Sequence, residues 1–170
     1  MNKTHNLSNV TENYLSEYRK ILYTMIHSMT NTEITNSISQ DFISQMIPHH
    51  RAAIEMSQNI LRFTTNICLQ NIASNIISEQ TKSIEDMLNV ENTCKTKTNL
   101  KQDVFIYNKN FDRIAEIMFS QMSDAPITNS VNLNFLNEMI PHHEGAVRMS
   151  NNALNFDICD ELKPILHAII

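Results

Sequence analysis

The chain has 170 residues, of which 42% are hydrophobic, and 13 basic against 18 acidic side chains give a formal net charge of −5. A chain of this length can bury a core without disulfides or bound metals to stabilise it. One glycine with four prolines is too few turn residues for a β-sandwich or barrel, so we predict an all-α fold. The acidic balance, with no cluster of Lys or Arg, excludes the positive surface that nucleic acid or anionic lipid requires.

The first predicted elements are two amphipathic helices separated by a short polar loop. Apolar side chains three and four residues apart between Tyr14 and Met29 predict the first helix. Residues 34–37 then supply side-chain oxygens that can cap a second helix, and Gln40 is placed for a capping box with Ser37. We expect this second helix over about 39–61.

A third helix is predicted from the apolar stripe between Leu69 and Leu88. The polar, aperiodic segment that follows is typical of a linker, which we place at 91–103. The three cysteines, Cys68, Cys94 and Cys159, are odd in number and widely spaced, without a Cys-x-x-Cys motif. This pattern predicts neither a disulfide framework nor a zinc finger.

The second part of the chain repeats the first. Shifting the sequence by 93 residues aligns 14–77 with 107–170 without a gap, and 24 of the 64 aligned positions are identical. A helix over about 132–154 is then the copy of the second helix, and each of the two contains Met-Ile-Pro-His-His. We predict one compact domain of two tandem helical repeats, 11–90 and 104–170, related by a pseudo-twofold axis, with the second repeat truncated at its C-terminus.

The Pro-His-His segments are the candidate functional residues. At about 100° per residue, His49 and His50 both fall on the apolar stripe of their helix, whereas Arg51 and Glu55 fall on the solvated side. Pro48 interrupts the helical hydrogen bonding beside these imidazoles, and the second copy repeats the interruption. A proline inside a helix at the same place in both copies indicates a functional or strained site.

Histidine and methionine recur at matched positions, which makes them candidate metal ligands. Eight of the ten Met and four of the seven His pair through the 93-residue shift, whereas no acidic residue does. Imidazole with thioether suits Cu(I) or Ag(I) better than iron, manganese or zinc. The predicted ligands are His49, His50, His142, His143, Met46, Met139, Met56, Met149, Met25, Met29, Met118 and Met122.

The two segments of the form Phe-x-x-x-Met-Ile-Pro-His-His-x-x-Ala-(Ile/Val)-x-Met-Ser, with Gln80, Ile84, Glu85 and Met87 further on, resemble the signature of a bacterial family, the domain of unknown function 305. The resemblance covers nearly the whole chain and implies a ferritin-like helical bundle. Because CopM-like members are copper-binding proteins associated with copper resistance, it also implies copper storage, sequestration or tolerance, with the histidines and methionines of the two motifs as ligands.

Two other interpretations stay open. One is a structural or interaction bundle whose buried histidine pairs hold no metal. The other is an enzyme, for which the chain lacks a nucleophile–base motif, a phosphate loop and matched carboxylates. Zinc is the second choice of metal, and a homo-oligomer is compatible with the bundle.

The sequence also sets an expectation for the location of the protein. No apolar run reaches the roughly 18 residues of a membrane span, and the stretch from Met1 to Ser8 has no apolar signal-peptide core. We therefore expect no membrane partner and a cytoplasmic protein, or an exported one if the native N-terminus lies further upstream.

Overall fold

The structure, a computed structural model, describes residues 7–170 and is all α-helical, which confirms the predicted fold class. The helices of this part of the chain are α1 (Asn9–Thr30), α2 (Ile38–Leu61), α3 (Ile67–Cys94), α4 (Lys101–Ser123), α5 (Val131–Leu154) and α6 (Lys163–Ile169). They form a helical bundle. None of these helices combines the length and the apolarity that crossing a membrane requires. Most of the N-terminal stretch searched for a signal peptide, residues 1–6, lies outside the described residues.

Helices α2 and α5 match the predicted second helix and its copy, each beginning one residue earlier than expected. Ser37 caps α2 as predicted, since its hydroxyl accepts the backbone N–H of Gln40 at 3.3 Å. The predicted capping box is wrong, because the Gln40 side chain donates to Glu91 of α3 and the Ser37 N–H donates to the Thr35 hydroxyl. The Gln40 side chain therefore makes a contact between α2 and α3 and not the local capping contact.

The connection between α3 and α4 is shorter than the predicted linker. Helix α3 continues to Cys94 and α4 begins at Lys101, so residues 95–100 form the connection. The polar sequence does not predict this extension of α3. Its last turn is stabilised by a tertiary contact at the fully buried Cys94, which local periodicity does not show.

A disulfide joins Cys94 to Cys159, with their Cα atoms 5.2 Å apart, while Cys68 is free and exposed. The sequence pattern predicted no disulfide framework and gave no sign of this single bond. The two partners are 65 residues apart in sequence, and only the packing of α3 against the segment before α6 brings them together.

Two matched polar contacts hold the first three helices against the last three. The hydroxyl of Tyr14 in α1 donates to Glu138 of α5, and the hydroxyl of Tyr107 in α4 donates to Gln45 of α2 at 2.9 Å. The two tyrosines are 93 residues apart in sequence, and so are Gln45 and Glu138, which agrees with the 93-residue shift of the sequence alignment. The duplication itself stays a prediction.

Helices α2 and α5 pack against each other and continue through their internal prolines. Their inward faces are apolar, with Phe42 and Phe135 fully buried. A Cβ atom on Gly145 would lie 2.3 Å from the sulfur of Met118. The single glycine of the chain therefore lets α4 approach α5 closely, one turn from His142.

Candidate metal centre

Four histidines from α2 and α5 meet where these helices pack against each other. The rings of His49 and His142 stack with their centroids 3.6 Å apart. His50 lies 5.9 Å from His49, and His143 lies 5.6 Å from His142, between ring centroids. His49, His50 and His142 are each 1% exposed, and His143 is half-buried. The histidines thus face inward, as their positions on the apolar stripes predict.

Hydrogen bonds determine which nitrogen of the stacked rings carries the proton. The Nε2 atom of His49 lies 3.2 Å from the carbonyl oxygen of His142, and the Nε2 atom of His142 lies 3.1 Å from the carbonyl oxygen of His49. Because a carbonyl can only accept, each Nε2 atom carries a hydrogen and each Nδ1 atom has a free lone pair. Both Nδ1 atoms are buried and lack a hydrogen-bond partner among the described residues.

The flanking histidines have different partners. His143 donates its Nδ1 hydrogen to the carbonyl oxygen of Met139 at 3.1 Å, which leaves its Nε2 atom unprotonated. The Nε2 atom of His50 lies 2.9 Å from the hydroxyl of Ser83 in α3, which can donate or accept. At least three of the four rings, those of His49, His142 and His143, therefore present an unprotonated nitrogen that makes no hydrogen bond within the described residues.

Burial keeps these imidazoles neutral. Loss of water around the charged ring lowers the pKa of His49 and of His142 well below the usual range, and the neighbouring histidines lower both further. The same loss of water, with a smaller effect from His143, lowers the pKa of His50 to about 3. Burial also lowers the pKa of His143. Neutral imidazole is the form that binds metal ions, so the four rings need no deprotonation at neutral pH.

The histidines line one side of a cavity of about 620 Å³. Helix α3 contributes Glu79, Ser83 and Asp86 to the lining, and α6 contributes apolar side chains, namely Pro164, Ile165, Ala168 and Ile169. The sequence motifs did not indicate these residues as part of the site. A signal for Ser83 existed, since it lies seven residues after Ile76 on the predicted stripe of α3, but no sequence pattern shows that α6 reaches this cavity.

The eight predicted methionine ligands are buried in the core and are each at most 5% exposed. None of them lines the histidine cavity. The backbone carbonyl of Met139 accepts a hydrogen bond from His143, and the side chain of Met118 packs against Gly145. In this structure their side chains fill the core, for which flexible thioethers are suited. Ligation by methionine stays a prediction.

The spacing of the donor atoms limits the geometry of a metal site. In residues 7–170, one group of three His, Cys, Asp or Glu side chains brings a ligand atom from each within 4.8 Å of the others, and it consists of Cys94, Cys159 and Glu161. The histidines do not form such a group. The spacing of the cysteines in the sequence did not indicate the group that Cys94 and Cys159 form with Glu161.

Comparison with known proteins identifies the family. No curated protein and no solved structure gives a significant match to the chain. The family described as Domain of unknown function (DUF305) matches residues 24–91 and residues 39–170, which together cover more than half of the chain. The chain therefore belongs to the DUF305 family.

Proposed function

We propose that this protein binds Cu(I) through the buried imidazoles of α2 and α5. The observation that carries the proposal is the pair of Nδ1 atoms of His49 and His142, which are unprotonated, buried and without a partner. A buried polar atom left unpaired destabilises a protein by about 1–3 kcal/mol. A bound metal ion would remove this cost at both atoms.

The donor set favours a soft monovalent ion. A structural zinc site has four ligands in a tetrahedron, whereas the histidines do not bring even three nitrogens within 4.8 Å of one another. Cu(I) needs only two imidazoles, and the neutral rings of His49 and His142 supply two nitrogens without a negative charge to balance a divalent ion. Zinc is the second candidate, because Glu79 and Asp86 of α3 line the same cavity and could complete a divalent site.

Sequestration of copper is the role that fits these features best. Four helices line the cavity, and three of its four histidines are 1% exposed, so an ion bound to them would have little contact with water or other reactants. This role agrees with the copper resistance associated with CopM-like members of the family, which the sequence motifs resemble. Copper tolerance through sequestration is therefore the biological function that we propose.

The proposal is tested by titrating the protein with Cu(I) in competition with a chromophoric chelator, with the disulfide intact and Cys68→Ser in the parent and every variant, so that no free thiol competes for the ion. We expect stoichiometric binding. Glutamine at His49 and His142 can still donate to the opposite carbonyl but has no imine nitrogen. His49→Gln with His142→Gln should therefore weaken the Cu(I) affinity at least tenfold, about 1.4 kcal/mol. Changing all four histidines to Ala should abolish binding while the far-UV circular dichroism stays helical.

The matched control is His27→Gln with His167→Gln, because both side chains are exposed and lie outside the cavity. This control should bind Cu(I) like the parent protein. Cu(I) binding that survives the loss of all four cavity histidines would place the ligands elsewhere. A parent protein that binds neither Cu(I) nor Zn(II) would support the metal-free structural bundle, and a preference for Zn(II) would support the second candidate.

Replacing Met46 and Met139 with Leu tests ligation by thioethers separately. Leu is close to Met in volume and usually costs less than about 1.5 kcal/mol in a core, but it has no sulfur donor. Because no methionine lines the cavity, we expect the Cu(I) affinity of this double variant to stay within about twofold of the parent protein, measured by the same competition titration. A loss of tenfold or more, with unchanged thermal unfolding of the metal-free protein, would show that the sulfurs are ligands.

A further inference from the structure

We propose that Cys94, Cys159 and Glu161 form a second metal site, specific for Zn(II), that exists only when the disulfide is reduced. This site is separate from the histidine cavity, since none of its three residues lines that cavity. The proposal therefore stands or falls independently of copper binding by the histidines.

The three ligand atoms are already close together. One sulfur from each cysteine and one carboxylate oxygen of Glu161 all lie within 4.8 Å of one another. The Glu161 carboxylate oxygen is 2.9 Å from the sulfur of Cys159. In the disulfide that sulfur has no hydrogen to donate, so the carboxylate gains a role only when the bond is reduced, either as acceptor of the thiol hydrogen or as a metal ligand.

The backbone around the cysteines is held by contacts that do not depend on the disulfide. The hydroxyl of Ser37 donates to the carbonyl oxygen of Cys94 at 3.2 Å, and the N–H of Cys159 donates to the hydroxyl of Ser39 at 2.9 Å. Both serines belong to the start of α2. These bonds keep the two thiols near each other after reduction, so a metal ion meets a site that is largely formed.

The chemistry consists of two balanced steps. A thiol reductant breaks the S–S bond by giving it two electrons and two protons, and the reductant leaves as its own disulfide. Zn(II) then binds the two sulfurs and displaces both thiol protons to solvent. Metal binding and the disulfide are thus mutually exclusive states of the same two sulfur atoms.

Zn(II) is the ion that this donor set fits. Zinc binds thiolate and carboxylate together in a tetrahedron and accepts water as the fourth ligand, whereas Cu(I) selects sulfur without carboxylate. Two thiolates and one carboxylate also carry three negative charges, which suits a divalent ion. Both cysteines are buried but Glu161 is exposed, so its carboxylate gives the ion a path from solvent.

The test uses the full chain, reduced and kept free of oxygen, with Zn(II) and its spectroscopic substitute Co(II) as probes. The four cavity histidines are first changed to Ala, so that only the second site is measured. We expect one equivalent of Zn(II) to bind and Co(II) to give the intense near-ultraviolet band of thiolate ligation. Oxidation to the disulfide should abolish both signals.

Substitutions identify the ligands. Cys94→Ser or Cys159→Ser should remove the thiolate band, and Glu161→Gln should weaken Zn(II) binding at least tenfold. Cys68→Ser is the matched control, because Cys68 is free and exposed, and it should change nothing. Since the histidine background or a buried Cys→Ser change could impair folding, Glu161→Gln is also tested in the otherwise unaltered chain, with the Co(II) thiolate band as readout.

Two results would overturn the proposal. One is the absence of a thiolate–Co(II) band in the reduced parent chain. The other is Zn(II) binding by the chain without the four cavity histidines that is equally strong after oxidation or after Glu161→Gln. Either result would leave the proposal for the histidines untouched, because the Cu(I) titration reports on different atoms.

Discussion

Reduction of the Cys94–Cys159 disulfide is expected to lower the free energy of unfolding of the metal-free protein by about 4 kcal/mol. The bond links residues 65 apart in sequence, and the loss of unfolded-chain entropy on closing a loop of this size corresponds to about 4 kcal/mol. The measurement is urea unfolding with and without a thiol reductant. The largest local effect should be faster amide exchange in α6, which follows Cys159 directly.

The double variant Cys94→Ser with Cys159→Ser is the control for the reductant itself. It should start at the lower stability and show no further change on reduction, whereas Cys68→Ser should respond like the parent protein. A decrease below about 1 kcal/mol on reduction would show that the serine contacts of both cysteines hold this region without the covalent bond. Added Zn(II) should restore part of the loss in the reduced parent protein if the second metal site exists.

Glu138→Gln is expected to stabilise the protein at pH 7 and above and to leave its stability at pH 4 unchanged. Glu138 is 2% exposed and accepts a hydrogen bond from Tyr14. Burial raises its pKa from the ordinary 4.5 to about 8, against the smaller lowering effect of the Tyr14 bond. The folded state therefore holds this proton more tightly than the unfolded state does.

The direction of the pH dependence follows from that difference. The contribution of Glu138 to stability is complete below pH 4.5, the unfolded value, and is lost as the pH rises through about 8. At one pKa unit per 1.36 kcal/mol, the loss amounts to at most about 5 kcal/mol, and about 3 kcal/mol of it has occurred by pH 7. Gln is neutral throughout, so the variant avoids this loss.

A matched contact in α2 indicates that glutamine can replace Glu138. Gln45 occupies the matched place in α2 and accepts the hydroxyl of Tyr107 at 2.9 Å. Urea unfolding of parent and variant at pH 4, 7 and 9 measures the difference, to which every other titrating group contributes equally in both proteins. Gln45→Glu should introduce the same pH dependence in the first repeat. Parallel stability curves for parent and Glu138→Gln would show that Glu138 is ionised in the folded protein.

The helices and the inward direction of the histidines could be predicted from the sequence, because both follow from local periodicity. A side chain on a helix points in a direction set by its position at about 100° per residue. The apolar stripes around His49 and His142 therefore determined which face of α2 and of α5 is buried. The composition determined the all-α class in the same way, since one glycine cannot supply the turns of a β fold.

Only the tertiary structure decided what the buried groups contact. A methionine that packs and a methionine that binds a metal produce the same sequence pattern, so the pattern could not show that Met46 and the other methionines lie outside the cavity. The Cys94–Cys159 bond, the neighbouring Glu161 and the wall formed by α6 were likewise beyond prediction. Periodicity reports the direction of a side chain from its own helix, whereas these features depend on how helices distant in sequence pack against each other.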